Sequence, residues 1–339
     1  MRRWFTFISV TCGFLLVASV AFAATGAPHG WSKVGKAGST AVPRMDFCDA
    51  KHGLALFYGV GFKKTSDGGK TWKKVSNLPA NFSLRNISMG SPSVAYIVGV
   101  KGGASAGGTV FVTTDGGKTW TDRSSQLSAG ELFNVYATDK SHAWAVGRGM
   151  LIFATSDGGT TWHKQNGDDH GVGWLQGVYF TDASNGWATG ITWSSPPQCV
   201  FYRTSTGGAT WESTSMRGET NLTCLQFLDG THGRATGYAN AGQRTTLYTT
   251  TNGGVSWSAK TLPTAVGSVS FMGFASVSKG WIAGNLYPVP FWQTTNGGGK
   301  WSAHLTRSSV TAFNMPNHSY AYAFVRNTAQ KVQLYRWKK

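Results

Sequence analysis

Glutamate is almost missing from this chain. Only Glu131, Glu212 and Glu219 occur in 339 residues, and 14 acidic side chains face 31 Lys and Arg, for a formal charge of +17. Glycoside hydrolysis generally needs two carboxylates about 5 to 10 Å apart across the substrate, so the pool for that chemistry is thin. Cysteine is scarce, with four in all, and the eight His are scattered. No zinc-type spacing arises, and neither a metal nor a cofactor is expected. Long patterns of period 3.6 are also lacking, whereas Gly (45) and aromatics (13%) are plentiful. That mixture favours many short strands joined by tight turns.

Only one apolar run approaches the length of a bilayer span. "MRRWFTFISVTCGFLLVASVAFAA" has a short cationic start, an apolar stretch from Trp4 to Val20 and a small-residue end at Ala21, Phe22 and Ala23. This reads as a signal peptide over residues 1–23, cleaved after Ala23; a retained membrane anchor is the competing reading. Arg2 and Arg3 are too weak a signal for twin-arginine export, and Cys12 lacks the setting of a lipoprotein site. The expectation is a secreted or periplasmic monomer comprising one domain, 24–339, with no transmembrane segment after cleavage. Removing Arg2 and Arg3 leaves a charge of about +15, which attracts anionic surfaces. Nucleic acid is not expected, since an exported chain without a nucleic-acid motif has little use for it. Of the remaining Cys48, Cys199 and Cys224, parity allows one internal disulfide. Cys199 with Cys224 is the expected pair, and three separate thiols are the alternative.

The informative feature is repetition. "TSDGGKTW" at Thr65 returns as "TTDGGKTW" at Thr113, "TSDGGTTW" at Thr155, "TSTGGATW" at Thr204, "TTNGGVSW" at Thr250 and "TTNGGGKW" at Thr294, its final Trp recurring every 42 to 49 residues. Such a period means a propeller or solenoid with one small sheet per repeat. Upstream of each turn stands a second element such as "HAWAVG" at His142 or "NGWATG" at Asn185. Repeat three supplies "LFNVYAT", "AWAVG", "LIFAT" and "TWHKQ", the four antiparallel strands of one blade. The turn lies between strands three and four. Its glycines permit positive φ, and its third residue, Asp67, Asp115, Asp157, Thr206, Asn252 or Asn296, caps backbone N–H groups. Asn and Thr satisfy a capping role but not an acid–base one.

After the sixth turn the chain offers three more strands, "SVTAFNM", "SYAYAFV" and "KVQLYRW", and no fourth. At the other end "GWSKV" imitates "TWKKV", with Trp31 standing 41 residues before Trp72. The N-terminal strand is therefore expected to complete blade seven and to hide the open edges. The fold expected is all-β, a seven-bladed propeller of four-stranded antiparallel blades.

The turn resembles the Asp-box, or BNR, repeat of sialidases, sortilin-type receptors and some xyloglucan hydrolases. Paired with the upstream "GWAVG"-like strand, it more closely resembles the photosystem II assembly and stability factor family and its bacterial relatives. That resemblance implies a non-enzymatic propeller that binds protein partners during assembly. A glycan-active hydrolase or lyase of sialidase type is the alternative, although no "RIP" segment is present.

Strand order puts the repeated turns on a lower face and the longest connections on an upper one. Binding usually lives on such variable loops. The upper set holds Arg85, Arg123, Arg148, Arg217, Arg244 and Arg307 with Trp174, Trp193 and Tyr287. These form the candidate binding surface for an acidic protein or an anionic envelope or glycan component. Lys63, Lys64, Lys70, Lys73 and Lys74 crowd one outer hairpin and read as protection of an exposed edge.

Overall fold

Each repeated turn is built the same way. In blade one the Thr65 hydroxyl donates to Asp67 (2.8 Å) and accepts from Gly69 N–H (2.8 Å), while Asp67 accepts from Thr71 N–H (2.9 Å). Both glycines sit at positive φ, 72° and 87°, a region costly for any residue with a Cβ. Thr206 accepts the equivalent N–H from Thr210 at 3.0 Å, Asn252 from Ser256 at 3.0 Å and Asn296 from Lys300 at 2.7 Å. Partial burial opposes ionisation of Asp67, but hydrogen bonds from Thr71 and Thr65 outweigh it and hold the carboxyl at about 2. At pH 7, Asp67→Asn is therefore expected to cost less than about 1 kcal/mol and Asp67→Ala about 1–2 kcal/mol. Urea unfolding of the two variants separates these outcomes.

The computed structural model describes residues 27–38, 42, 44–57, 60–77, 82–101, 108–127, 130–166, 173–195, 198–215, 219–239, 245–267, 269–284, 291–305, 308–327 and 329–339. Residues 1–26, which include the expected signal peptide, and residues 167–172, which include Asp168 and Asp169, lie outside them. Within them are seven four-stranded antiparallel sheets, six of which take four consecutive strands. The seventh joins Trp31–Gly38, as its outer strand, to Val332–Lys338, Tyr320–Arg326 and Ser309–Asn317. Trp31 pairs with Trp337 and Lys33 with Tyr335, so the ends of the chain close one ring. Each blade's first strand touches that of the next blade, and the seventh touches the first.

The core consists of apolar layers between blades, because strands covered on both faces read as near-continuous apolar runs. Blades two and three share Tyr96, Val98, Val110, Leu132, Val135 and Phe153. A recurrent staple crosses these layers. Trp144 stacks on Phe180 of the next blade at 3.5 Å and donates its indole N–H to Gly207 O at 3.0 Å; Trp187 repeats this with Phe227 and Gly253 O. Between blades seven and one the staple is Tyr322, stacked on Phe47 and donating to Ala50 O. In blade five the position is held by Arg234, which lies over Phe274 at 5.3 Å and donates to Val277 O at 2.9 Å. A flat guanidinium can take the place of an indole at such a stack.

The expected disulfide is not formed. A bulge between Leu222 and Cys224 interrupts the alternation of the first strand of blade five, Glu219–Phe227. Leu222 and Leu225 therefore face blade four, where Cys199 packs, while Cys224 faces blade six beside Met272 and Phe274. An extra residue in a strand re-aims its neighbours, and here it turns the two thiols to opposite sides of one sheet. The Cys48 and Cys224 thiols are pushed up to about 12 and about 11, chiefly by burial.

Candidate binding face

The first strands line a central channel, and their upper ends bulge inward. Register shifts fall between Leu84 and Asn86, Leu132 and Asn134, Leu175 and Gly177, Leu222 and Cys224, and Val310 and Ala312. The extra residues are Arg85, Phe133, Gln176, Thr223 and Thr311. Of these, Gln176, Thr223 and Thr311, together with Arg44, line a cavity of about 810 Å³.

Three of the expected binding residues meet one another. The Arg148 guanidinium lies 5.1 Å over the Trp193 ring, and Trp193 meets Trp174 edge-to-face at 5.4 Å. Phe133 extends the row, 6.0 Å from Trp174. Backbone contacts fix this platform: Arg148 pairs with Trp174 in an isolated bridge, and Arg148 N–H donates to Glu131 O at 2.8 Å. Trp193 is 43% exposed and Arg148 is exposed, whereas Trp174 is half-buried. Arg85 adjoins through Glu131, whose carboxylate it grips with Nε (3.1 Å) and Nη2 (2.5 Å). Glu131 is thus a charge-pairing residue, its side chain only 14% exposed.

Arg123 does not join them. It follows the outermost strand of blade two, Thr121–Asp122, whereas Arg85 sits on the innermost, so the full width of the sheet separates them. Arg217, Arg244, Arg307 and Tyr287 lie outside the described residues. Arg44, which was not singled out from the sequence, belongs to the cluster. Its Nε donates to Arg85 O at 2.7 Å, and burial, then the charge of Arg85, lowers its pKa. Two guanidinium groups and the Glu131 carboxylate therefore lie close together.

Lower in the channel a ring of polar side chains ties neighbouring blades together. Asp46 accepts from Met89 N–H of blade two at 2.6 Å and from Asn314 Nδ2 of blade seven, and Asn314 Oδ1 accepts from Phe47 N–H at 3.1 Å. Ser88 accepts from Ala137 N–H at 3.0 Å, and Gln226 exchanges hydrogen bonds with the Phe274 backbone. Burial raises the Asp46 carboxyl to about 7 despite these donors. In sequence these residues share one column, each four residues after an aliphatic residue: Val42 to Asp46, Leu84 to Ser88, Leu222 to Gln226, Val310 to Asn314. That polar column was the available signal.

The other carboxylates whose side chains are described are engaged locally. Asp49, Asp139, Asp182 and Asp229 accept from backbone N–H groups of their own strand-one-to-strand-two turns. Asp67, Asp115 and Asp157 cap the repeated turns, Asp122 accepts from Ser124 N–H, and Glu212 pairs with Arg203. Among the described residues no group of three or more His, Cys, Asp or Glu side chains is placed to hold a metal, and no helix is long and apolar enough to cross a membrane.

Closed ring, inward bulges and repeated turns define a class: a seven-bladed BNR-type β-propeller that resembles the photosystem II assembly factors. The family model of the photosynthesis system II assembly factor YCF48 matches residues 72–173, from the last strand of blade one through blade three. The solved structure of YCF48 bound to a D1 peptide superposes with a TM-score of 0.66 at 17% identity, covering 93% of this chain and 99% of that one. YCF48 from Cyanidioschyzon merolae gives 0.65 at 17% identity, with coverage of 91% and 98%. A GH74 xyloglucanase from Xanthomonas campestris gives 0.61 at 14% identity, covering 91% of this chain and 55% of that one. No curated protein matches.

Proposed function

We propose that this protein is an exported, non-enzymatic assembly scaffold that docks an acidic segment of a protein partner on its upper face. In this reading residues 1–23 are removed on export, and the mature propeller acts as a monomer. The observation that carries the reading is the Arg148–Trp193–Trp174–Phe133 platform beside Arg85 and Arg44. Aromatic anchors flanked by guanidinium groups are the usual composition of binding hot spots. The upper-face arginines would accelerate encounter with an acidic chain in a salt-sensitive way. A YCF48 structure of similar fold holds a peptide, which supports a peptide-sized partner.

The test is capture from the native envelope, followed by titration of the captured partner and of a Glu- and Asp-rich peptide. Trp193→Ala is expected to weaken binding at least 30-fold, about 2 kcal/mol, and Arg148→Glu to abolish it at low salt, with melting temperatures unchanged. Unaltered affinity in both variants would move the site elsewhere. Cleavage of an envelope glycan by the wild-type protein, lost in Asp46→Asn, would favour the hydrolase reading instead.

A further inference from the structure

Blade one opposes like charges where the other blades do not. Across strands three and four Lys63 faces Lys74 and Lys64 faces Lys73. The positions facing as Lys64 and Lys73 do are Val112 and Thr121, Ala154 and His163, Arg203 and Glu212, Thr249 and Ser258, Gln293 and Ser302, and Arg336 and Ser32. At the Lys63 position the other six blades carry Phe111, Phe153, Tyr202, Tyr248, Trp292 and Tyr335. The repeat therefore supplies its own control. The fold prefers an aromatic at one site and tolerates an ion pair at the other, so two opposed lysine pairs are not a requirement of the architecture. Like charges directly opposite in a sheet are destabilising. Edge protection would ask for charge on the outer strand Lys73–Lys74 alone.

Lys64 and Lys73 border a cavity of about 260 Å³ between blades one and two, on the side of the repeated turns, whereas Lys63 lies on the other face of the sheet, 4.7 Å over the Phe57 ring. Its lining includes Lys64, Lys73, His52, Ser66, Thr71 and Ser93, and no carboxylate. Lys64 is anchored by donating to Gly116 O of blade two at 2.7 Å, which leaves its ammonium two further N–H donors. Among the described residues no carboxylate forms an ion pair with Lys63, Lys64, Lys73 or Lys74. Two ammonium groups at a cavity of this size match an oxyanion of high charge better than a single carboxylate.

We propose that this inter-blade cavity binds a phosphate group, with Lys64 and Lys73 as its two cations. The site lies on the opposite face from the Arg148–Trp193 platform, so a chain held on a phosphate-bearing surface would present its upper face outward. The shared chemistry fits both a free phosphate and a lipid headgroup.

The test uses pyrophosphate in calorimetric titration and co-flotation with vesicles of phosphatidylglycerol or of phosphatidylcholine. Wild-type protein is expected to bind pyrophosphate, phosphatidylglycerol vesicles or both, and not phosphatidylcholine. Binding of pyrophosphate identifies phosphate alone as sufficient, and binding of vesicles only identifies a headgroup. Lys64→Gln with Lys73→Gln is expected to weaken the response at least tenfold, and Lys140→Gln, a surface lysine of blade three, to leave it unchanged. Lys73→Glu copies the Arg203–Glu212 pairing and is expected to raise the melting temperature by a degree or two while abolishing binding. Failure of wild-type protein to bind either probe, or equal binding by Lys73→Glu, overturns the proposal.

Discussion

Replacing Trp31 with alanine is expected to lower the unfolding free energy by about 3–5 kcal/mol, the cost of removing a buried aromatic side chain. Trp31 is only 8% exposed and packs edge-on against Trp281 (5.6 Å) and Phe291 (5.1 Å) of blade six, while its strand pairs with the last strand of the chain. It therefore joins two blades and both ends of the sequence at once. Deleting residues 30–34 should cost more, because the last strand of the chain is then exposed as an unpaired edge that templates association. Urea unfolding with size-exclusion chromatography reads both effects. A truncated protein that stays monomeric and equally stable would contradict closure by this strand.

The second large effect concerns pH. Burial lifts Asp46 from 3.8 to about 7 in the folded protein. Between those values the unfolded chain ionises this group and the folded chain does not, so the folded state binds the extra proton and stability falls as pH rises. The contribution is fully present below pH 3.8 and is lost above about 7. At about 1.4 kcal/mol per unit the shift sets a ceiling near 4 kcal/mol; Asp46 is only half-buried, and solvent screening reduces this to about 1–3 kcal/mol. Asp46→Asn keeps an acceptor for one of its two donors and cannot ionise. Its stability should therefore change less than that of the wild type between pH 4.5 and 7.5. Identical slopes for the two proteins would refute the assignment.

The architecture was legible because it is written locally and repeatedly. Six Gly-Gly turns set the period, and Trp31, one period before Trp72, disclosed the seventh outer strand. What escaped the sequence depends on radius and register. Arg85 and Arg123 belong to the same blade, but one lies on the channel strand and the other beyond the outermost strand. Cys199 and Cys224 looked adjacent in blade order until the bulge after Leu222 turned Cys224 away. Asp46, Ser88 and Asn314 meet only when the ring closes, since they come from three blades and from both ends of the chain. The lysine hairpin read as edge protection because cross-strand opposition is a property of register, which composition does not carry.

The central claim, that a partner docks on the upper platform, is tested most directly by hydrogen exchange of the protein alone and in complex with the partner captured from the envelope. Slowed exchange is expected at Phe133, Arg148, Trp174 and Trp193 and along the strand bearing Arg85, with the repeated turns at Gly68, Gly116 and Gly158 unchanged. Protection confined to those turns, with none at the platform, would contradict the account.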